Sequence, residues 1–424
     1  MPVSVTFEGM YLLLYNLFLR LYVGVAKLMA FRNAKAAAWV AGRKHTVRDL
    51  QHWKKSNSKP VIWIHAASLG EFEQGKPIIE SIRQQYPNYA ILISFFSPSG
   101  LEPSKHYPHA DHICYLPMDG KKAASTFIDT VEPSLAIFIK YEFWYYYLTA
   151  LHSRKIPTLL IAAIFRKDQP FFKWYGQLHR KMLQTYSAIF VQNENSLTLL
   201  HEAGYTGEAM ISGDSRFDRV AAIATQFSPL SIIENFIQDR TTLVAGSTWP
   251  KDHILLQEMV QEFPDTCFII APHHVDASSI QTACKQIPEA VLYADAEKGK
   301  TGRVLLIDRI GLLTKLYHYA DITWIGGGFD KDGVHNVLEA AVYHKPVLFG
   351  PVYHKYAEAI ELIEAGGAIV MHDGATSKER LKALLSDVSV RKMIGEKAGN
   401  YVASKKGATE KIIHWIQLNR LLTN

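Results

Sequence analysis

From Lys59 onward, short apolar runs alternate with longer amphipathic stretches, and this alternation constrains the fold more than any other feature. Short apolar runs bounded by Gly, Pro or Ser predict strands, and the longer stretches predict helices. The first series of predicted strands covers residues 61–64, 90–96, 112–116, 134–139, 158–163 and 188–192. A second series covers residues 242–246, 267–271, 304–307, 322–325, 346–349 and 368–371. Strands separated by helices indicate βαβ units and mostly parallel sheets.

The pattern loosens over residues 212–229, where the two series of strands are separated. A chain of 424 residues is too long for one ordinary core, so we expect two domains. We predict an α/β protein with a helical segment over 1–45 and doubly wound domains over 46–220 and 221–424. The second domain is predicted to include the C-terminal helices, and a ligand is expected in a cleft between the domains.

Composition restricts the class of partner and the compartment. The net charge of +6 suits acidic small ligands or an anionic surface. Without a basic stripe interleaved with aromatic residues, it does not favour nucleic acid. Cys114, Cys267 and Cys284 are far apart and odd in number, which argues against a disulfide framework and fits a reducing, cytoplasmic-side compartment.

The N-terminal segment over 9–31 is apolar and long enough to span a bilayer, although Asn16, Arg20 and Lys27 interrupt it. Basic residues follow closely at Lys27, Arg32, Lys35, Arg43 and Lys44. By the positive-inside rule they would hold the body of the protein on the cytoplasmic face. A tilted span, an interfacial amphipathic helix and a helix packed on the body all stay open, and the interrupting charges favour the interfacial helix.

A carboxylate follows the first predicted strand. The segment Trp63-Ile-His-Ala-Ala-Ser-Leu-Gly-Glu-Phe-Glu-Gln-Gly75 indicates a strand, a tight turn and a helix N-terminus. Ligands of open α/β sheets bind at the carboxyl ends of strands, where Glu71 would act as a general base. The alternative is that Glu71 only offsets the dipole of its helix.

A glycine-rich loop follows a strand in the second half. After the predicted strand 322–325, Gly326 and Gly327 would let the backbone approach a ligand closely. We expect Asn336 to cap a helix whose N-terminus binds a phosphate, and Glu339 to accept hydrogen bonds from ribose hydroxyls. A plain loop with an ordinary cap is the alternative.

Two further strand ends carry polar groups. Ser247 and Thr248 follow one strand, with Pro250 expected at the first position of a helix. Pro272, His273 and His274 end the next strand, and no metal-ligand spacing accompanies the histidines.

Several common nucleotide and hydrolase motifs do not occur. The sequence has no GxGxxG after the first strand of either half, no GxxxxGK[ST] and no GxSxG, which removes the usual dehydrogenase, P-loop and α/β-hydrolase interpretations. Asp330 and Asp332 form a D-x-D that is most simply explained as solvated loop charge, so we predict neither a metal nor a cofactor.

Taken in order, the motifs resemble those of the 3-deoxy-D-manno-octulosonic acid (Kdo) transferases of lipopolysaccharide synthesis. The matching segments of the first half are His65-Ala-Ala-Ser-Leu-Gly-Glu-Phe72, Ser94-Phe-Phe-Ser-Pro-Ser-Gly100, Pro117-Met-Asp119, Glu142-Phe-Trp144, Gln192-Asn-Glu194 and Gly213-Asp-Ser-Arg-Phe-Asp218. Those of the second half are Gly246-Ser-Thr248, Ala271-Pro-His-His274, Asp308-Arg-Ile-Gly311 and residues 326–339. The resemblance covers nearly the whole chain, including the apolar N-terminal segment.

The resemblance implies a GT-B fold and an inverting glycosyltransferase at the cytoplasmic face of the inner membrane. Its donor would be CMP-Kdo, its acceptor the lipid A precursor lipid IVA, and Glu71 its general base. The residues implied for the CMP moiety are Pro272, His273, His274, Ile310, Gly311, Leu312, Asn336, Val337, Leu338 and Glu339, with Ser247, Thr248, Gly326 and Gly327 completing the pocket. Ser97, Glu142 and Arg216 lie in matching motifs and are expected at the substrate site.

The chain departs from the family pattern at three positions. His273 replaces an arginine, so the leaving phosphate would rely on backbone N–H groups, a protonated His273 or Lys331. Asp214 replaces an asparagine, with Arg216 keeping a cation nearby, and Leu312 replaces a glutamate.

Two alternatives stay open at this stage. One is another GT-B transferase or a nucleotide-sugar epimerase with a different donor such as UDP. The other is a non-catalytic GT-B-like binding protein at the membrane. The sequence makes no prediction of oligomeric state.

Overall fold

The computed structural model describes residues 7–372 and 374–423 and divides into two compact units. The first unit comprises the chain up to Arg219 together with the segment from Gly407 onward. The second unit comprises Val220–Lys406.

The first unit is a seven-stranded parallel sheet with helices on both faces. Its strands are β1 Val61–Ala66, β2 Ala90–Phe95, β3 His112–Tyr115, β4 Pro133–Ile139, β5 Thr158–Ala163, β6 Ala188–Val191 and β7 Glu208–Ile211. Its helices are α1 Phe7–Met29, α2 Ala34–Gly42, α3 Thr46–Ser56, α4 Leu69–Gln85, α5 Pro98–Ser104, α6 Lys121–Val131, α7 Tyr145–Ser153, α8 Gln177–Leu183, α9 Glu194–Glu202 and α10 Ser215–Thr225, in which the boundary lies. The strand order is β3-β2-β1-β4-β5-β6-β7, the doubly wound order.

The second unit repeats this architecture. Its strands are β8 Thr242–Thr248, β9 Cys267–Pro272, β10 Val291–Leu292, β11 Val304–Leu306, β12 Ile322–Ile325, β13 Val347–Phe349 and β14 Ala368–Val370. Its helices are α11 Ser231–Ile237, α12 Pro250–Glu262, α13 Ala277–Gln286, α14 Tyr293–Ala296, α15 Leu313–Leu316, α16 Leu338–Ala341, α17 Ala357–Glu364, α18 Gly374–Ser386 and α19 Val388–Ser404. The strand order is β10-β11-β9-β8-β12-β13-β14, and every pairing is parallel.

The last helix, α20 Ala408–Leu418, differs from the sequence-based assignment to the second domain. Ile412, Ile413 and Ile416 are buried in the core under the first sheet, and the Trp415 indole donates to Glu208 of β7. Asp218 accepts hydrogen bonds from the backbone N–H groups that open this segment. The apolar face of α20 is therefore buried against the first unit. The periodicity of the helix predicts an apolar face but not which unit covers it.

Helix α1 has two different faces. One face lies on the first unit, where Tyr15 donates to Asp119 at 2.6 Å and Asn16 pairs with Tyr146. The opposite face is apolar and exposed, at Leu13, Leu14, Leu17, Phe18, Leu21, Val25 and Leu28. In the described part of the chain α1 is the one helix long and apolar enough to cross a membrane. At 23 residues it is about 34 Å long.

Candidate active site

In both units the predicted site residues lie at the carboxyl edge of a parallel sheet, on either side of the point where strand order reverses. Glu71 follows β1 and Glu142 follows β4 in the first unit. Thr248 ends β8 and Gly326 follows β12 in the second. Crossover helices leave such a switch point from opposite faces of the sheet, so a crevice forms there.

The Glu71 side chain bridges the turn that precedes its own helix. It is the third residue of α4, and its Oε2 accepts the Ala67 N–H at 2.6 Å. Burial, and then repulsion from the Glu142 carboxylate, raise the pKa of Glu71 to about 7. The Ala67 hydrogen bond and the Lys140 charge act in the opposite direction. A carboxylate with this pKa is suited to accept a proton near neutral pH.

Glu142 is buried and belongs to a network of side chains. Its Oε2 lies 2.7 Å from His65 Nε2 and accepts the Trp144 indole N–H at 2.5 Å. The other ring nitrogen of His65 contacts Ser94 on the neighbouring strand. The predicted substrate residue Glu142 is thus held in place by His65 on β1 and by Trp144 before α7, and His65 is a partner that sequence reasoning did not single out.

Cations border the carboxylates. Burial, followed by repulsion from Arg216, lowers the pKa of Lys140, which also feels the charges of Glu71 and Asp214. Arg216 itself pairs with Asp214 at 2.7 Å. The predicted Arg216 therefore lies in the electrostatic environment of Lys140, and Lys140 is a second residue that the sequence analysis missed. The sequence feature that could have indicated Lys140 is its position two residues before the predicted site residue Glu142.

Ser97, the remaining predicted residue of this unit, follows β2. Its N–H donates to the Ala67 carbonyl at 2.8 Å, and its hydroxyl accepts the Ser99 N–H to cap α5. Because Ala67 in turn donates to the Glu71 carboxylate, Ser97 is two hydrogen bonds away from the candidate base.

In the second unit, Asp252 joins two of the predicted loops. This fully buried carboxylate accepts the N–H of Trp249 after β8 at 2.9 Å and the N–H of Gly327 after β12 at 3.0 Å. A Cβ on Gly326 would lie 2.3 Å from the Ser247 carbonyl, and Ser247 has a left-handed φ of 52°. The glycines thus allow the two loops to pack backbone against backbone. This packing requires them in addition to the predicted approach of a ligand.

Three rings stack beside these loops. His273 packs 4.4 Å from His335 and 5.0 Å from Trp249, with their planes within 19°. The Trp249 indole donates to His335 Nε2 at 2.8 Å, so that nitrogen is an acceptor and the ring is neutral. Burial, and then the neighbouring His273, lower the pKa of His335 to about 4, and burial also lowers that of His273. Of the three alternatives for the leaving phosphate, a protonated His273 is therefore the one that the lowered pKa disfavours.

The stack borders a pocket of about 200 Å³ whose lining includes Thr248, Pro272, His273, His274 and His253. Thr248 Oγ1 is 2.9 Å from His253 Nε2, and the His273 N–H donates to the Thr248 carbonyl. The structure therefore brings together the predicted residues at the ends of β8 and β9. Trp249 and His335, which sequence reasoning left out, are 86 residues apart and only the fold makes them neighbours.

The predicted phosphate-binding helix after Asn336 is only one turn long. Asn336 accepts the Leu338 N–H at 3.1 Å, and its amide donates to Glu339. Yet α16 spans Leu338–Ala341 alone and its N-cap is Val337, so Asn336 lies one residue before the observed cap position and the aligned dipoles of a longer helix are absent.

The loop containing Ile310, Gly311 and Leu312 precedes α15 on the same sheet edge. Gly311 has a left-handed φ of 90°, and Ile310 is 85% exposed. The next residue, Leu313, packs close to Gly246 at the end of β8.

No group of three His, Cys, Asp or Glu side chains within residues 7–372 and 374–423 is arranged to hold a metal ion. Asp330 of the D-x-D pairs with Lys251 at 3.1 Å.

Comparison with known proteins shows which family this chain resembles. Residues 44–219 match the model of the family described as 3-Deoxy-D-manno-octulosonic-acid transferase (kdotransferase). The chain is 27% identical over 377 residues to the 3-deoxy-D-manno-octulosonic acid transferase of Haemophilus influenzae, covering 83% of this chain and 85% of that protein. The Aquifex aeolicus transferase is 26% identical over 318 residues, covering 74% of this chain and 82% of that protein.

Solved structures share the fold at low identity. The UDP-GlcNAc 2-epimerase of Neisseria meningitidis bound to UDP-GlcNAc superposes with a TM-score of 0.60 at 15% identity, covering 84% of this chain and 98% of that one. Acinetobacter baumannii MurG gives a TM-score of 0.52 at 15% identity, covering 85% and 99%. The predicted GT-B class with two doubly wound domains is confirmed, and the predicted resemblance to the Kdo transferase family is confirmed by the family match over residues 44–219 and by the curated relatives.

Proposed function

We propose that this protein transfers Kdo from CMP-Kdo to lipid IVA, with inversion, at the cytoplasmic face of the inner membrane. The similarity to Kdo transferases supports the transferase activity. The observation that carries the chemistry is the position of Glu71, at the switch point of the first sheet, with a pKa raised to about 7 by burial and by Glu142.

In the proposed step, Glu71 removes the proton from an acceptor hydroxyl as its oxygen attacks the anomeric carbon of Kdo. The new bond is between that oxygen and carbon, and the bond from the carbon to the phosphate oxygen breaks. CMP leaves with the electron pair. Attack from the side opposite the leaving group inverts the anomeric centre, and the transition state carries oxocarbenium character.

The donor would bind at the carboxyl edge of the second sheet, where Thr248, Pro272 and His273 border the pocket beside the stacked rings. Because the His273 pKa is lowered, a neutral imidazole would offer hydrogen bonds and a flat face. The phosphate charge would then be met chiefly by backbone N–H groups and by Lys331, in place of the family's arginine.

Helix α1 supports a location on the membrane surface. Its polar face is hydrogen bonded to the first unit through Tyr15 and Asn16, and its exposed face is a continuous apolar strip. A helix attached along one face is suited to lie in the interface with its other face among lipid chains. Arg43 is not part of the surface charge, because it packs against Trp39 and donates to the Leu116 carbonyl. Lys27, Arg32 and Lys35 remain to face anionic headgroups.

The test is transfer by purified protein supplied with lipid IVA and with CMP-Kdo made in place by a synthetase, read by mass spectrometry of the lipid. Wild type should add at least one Kdo unit, and Glu71→Ala and Glu71→Gln should fold normally and add none. Glu73→Gln is the matched control, because Glu73 lies two residues further along α4 and its side chain is 40% exposed.

Near-native turnover by Glu71→Gln would falsify the general-base role. A wild-type protein that binds UDP but not CMP would instead favour a different nucleotide donor, as in the epimerase alternative.

A further inference from the structure

An apolar groove lies between α1 and α2 in the first unit, with a volume of about 280 Å³. Val25, Ala26 and Met29 of α1 form one wall, and Trp39 of α2 and Phe96 after β2 form another. Tyr22 closes it with its ring against Trp39 and Phe96, at 5.6 and 5.9 Å between centroids. The groove is therefore lined mostly by hydrocarbon, on the side of the unit that carries the exposed face of α1.

The groove continues the apolar face of α1. Val25 and Met29 line it and are 55% and 52% exposed, so they belong to both surfaces. Lys35 stands at its border, and neither Lys35 nor the nearby Lys27 and Arg32 makes an ion pair with a carboxylate in the described part of the chain. A hydrocarbon channel bordered by free cations matches a lipid whose headgroup is anionic.

The groove is linked to the candidate base by hydrogen bonds. Ser97 and Pro98 line it, and the Ser97 N–H is bonded to Ala67, whose own N–H holds the Glu71 carboxylate. Phe96 also stacks on Trp144 at 4.9 Å. The groove thus leads from the proposed lipid-facing strip to the residues that position Glu71 and Glu142.

We propose that this groove binds one acyl chain of the lipid acceptor and so places the acceptor hydroxyl at Glu71. The proposal rests on the proposed function and names a subsite for its acceptor. A helix with its side chains is about 10 Å across and needs far more room than 280 Å³, whereas a single unbranched chain is narrow enough. Lipid tails are as apolar as the groove, so a chain moves into it from the bilayer at little cost, and the gain is orientation rather than affinity alone.

The first experiment fills the groove. Ala26→Trp and the milder Ala36→Leu place bulk on opposite walls, and Leu14→Trp, at a 55% exposed position of α1 outside the groove, is the control. Transfer is measured with lipid IVA and with fully deacylated lipid IVA. Filling the groove should raise KM for lipid IVA about tenfold and leave kcat unchanged. KM for the deacylated acceptor should not change, and the control variant should change none of these constants.

Two results would overturn the proposal that the groove binds an acyl chain: an unchanged KM for lipid IVA in both filled variants, or an equal increase in KM for the two acceptors. A wild type that transfers Kdo to neither acceptor would refute the proposed function instead.

A second measurement does not depend on activity. Wild-type protein is bound to vesicles that contain lipid IVA with a photoreactive group near one chain end, irradiated, and digested for peptide mass spectrometry. Crosslinks to Phe96, which lines the groove and not the outer strip, support the groove if they are lost in Ala26→Trp. Crosslinks confined to Leu13, Leu17 and Leu21 on the outer strip contradict it.

Discussion

Replacing Glu71 with glutamine should stabilise the folded protein above pH 7 while it removes the proposed base. Burial and the neighbouring Glu142 raise the pKa of Glu71 from its ordinary 4.5 to about 7. The folded protein therefore holds this proton more tightly than the unfolded chain does. The contribution of Glu71 to wild-type stability must therefore fall as the pH rises from about 4.5 to about 7, by at most about 3 kcal/mol.

A glutamine at this position has nearly the same shape, carries no charge and keeps an oxygen for the Ala67 N–H. We therefore expect the free energy of unfolding of Glu71→Gln, relative to wild type, to increase by up to about 3 kcal/mol between pH 4.5 and pH 8. Urea unfolding at the two pH values measures this difference. Glu73→Gln, at an exposed position, should show no such increase. If the difference in free energy of unfolding between Glu71→Gln and wild type is the same at both pH values, the assignment of Glu71 as a buried carboxylate with a raised pKa is refuted.

Three further predictions concern single side chains. Glu142→Gln removes a repelling charge, so the acidic limb of the pH–activity profile, which follows ionisation of Glu71, should move to lower pH. In Asp252→Asn the new NH₂ group would face either the backbone N–H groups of Trp249 and Gly327 or the indole N–H of Trp324, and calorimetry should show a loss of about 1–3 kcal/mol in the second unit. Tyr15→Phe removes a hydrogen bond to buried Asp119, whose pKa burial already raises to about 6; that pKa should rise further, and calorimetry should record a loss of about 1–3 kcal/mol.

The sequence was informative where burial on both sides produces a continuous apolar run. The twelve predicted strands all correspond to strands of the two sheets, and the predicted start of a helix at Pro250 is confirmed. The strands it did not predict, β7 and β10, lie at sheet edges. Strand β7 is half exposed and begins with Glu208, and β10 has two residues, so neither has an apolar run to recognise.

The candidate site was predictable only in part, because a motif specifies residues but not their distant partners. Sequence reasoning identified Glu71 and placed Glu142 at the substrate site, yet the repulsion between them depends on β1 and β4 being neighbours. The stack of Trp249 on His273 and His335 likewise requires three separate strand ends to meet. The roles proposed for these residues stay predictions until the variants are measured.

The hydrogen bonds of the first unit connect its surface helix to its candidate base. Tyr15 of α1 donates to Asp119, and Asp119 accepts the N–H groups that open α7. Trp144, the residue before α7, donates to Glu142, whose charge raises the pKa of Glu71. Because these hydrogen bonds follow one another within one packed unit, a displacement of α1 should change the position of Glu142. A lipid surface that holds α1 in place would therefore also hold the carboxylates in the geometry that the proposed transfer requires.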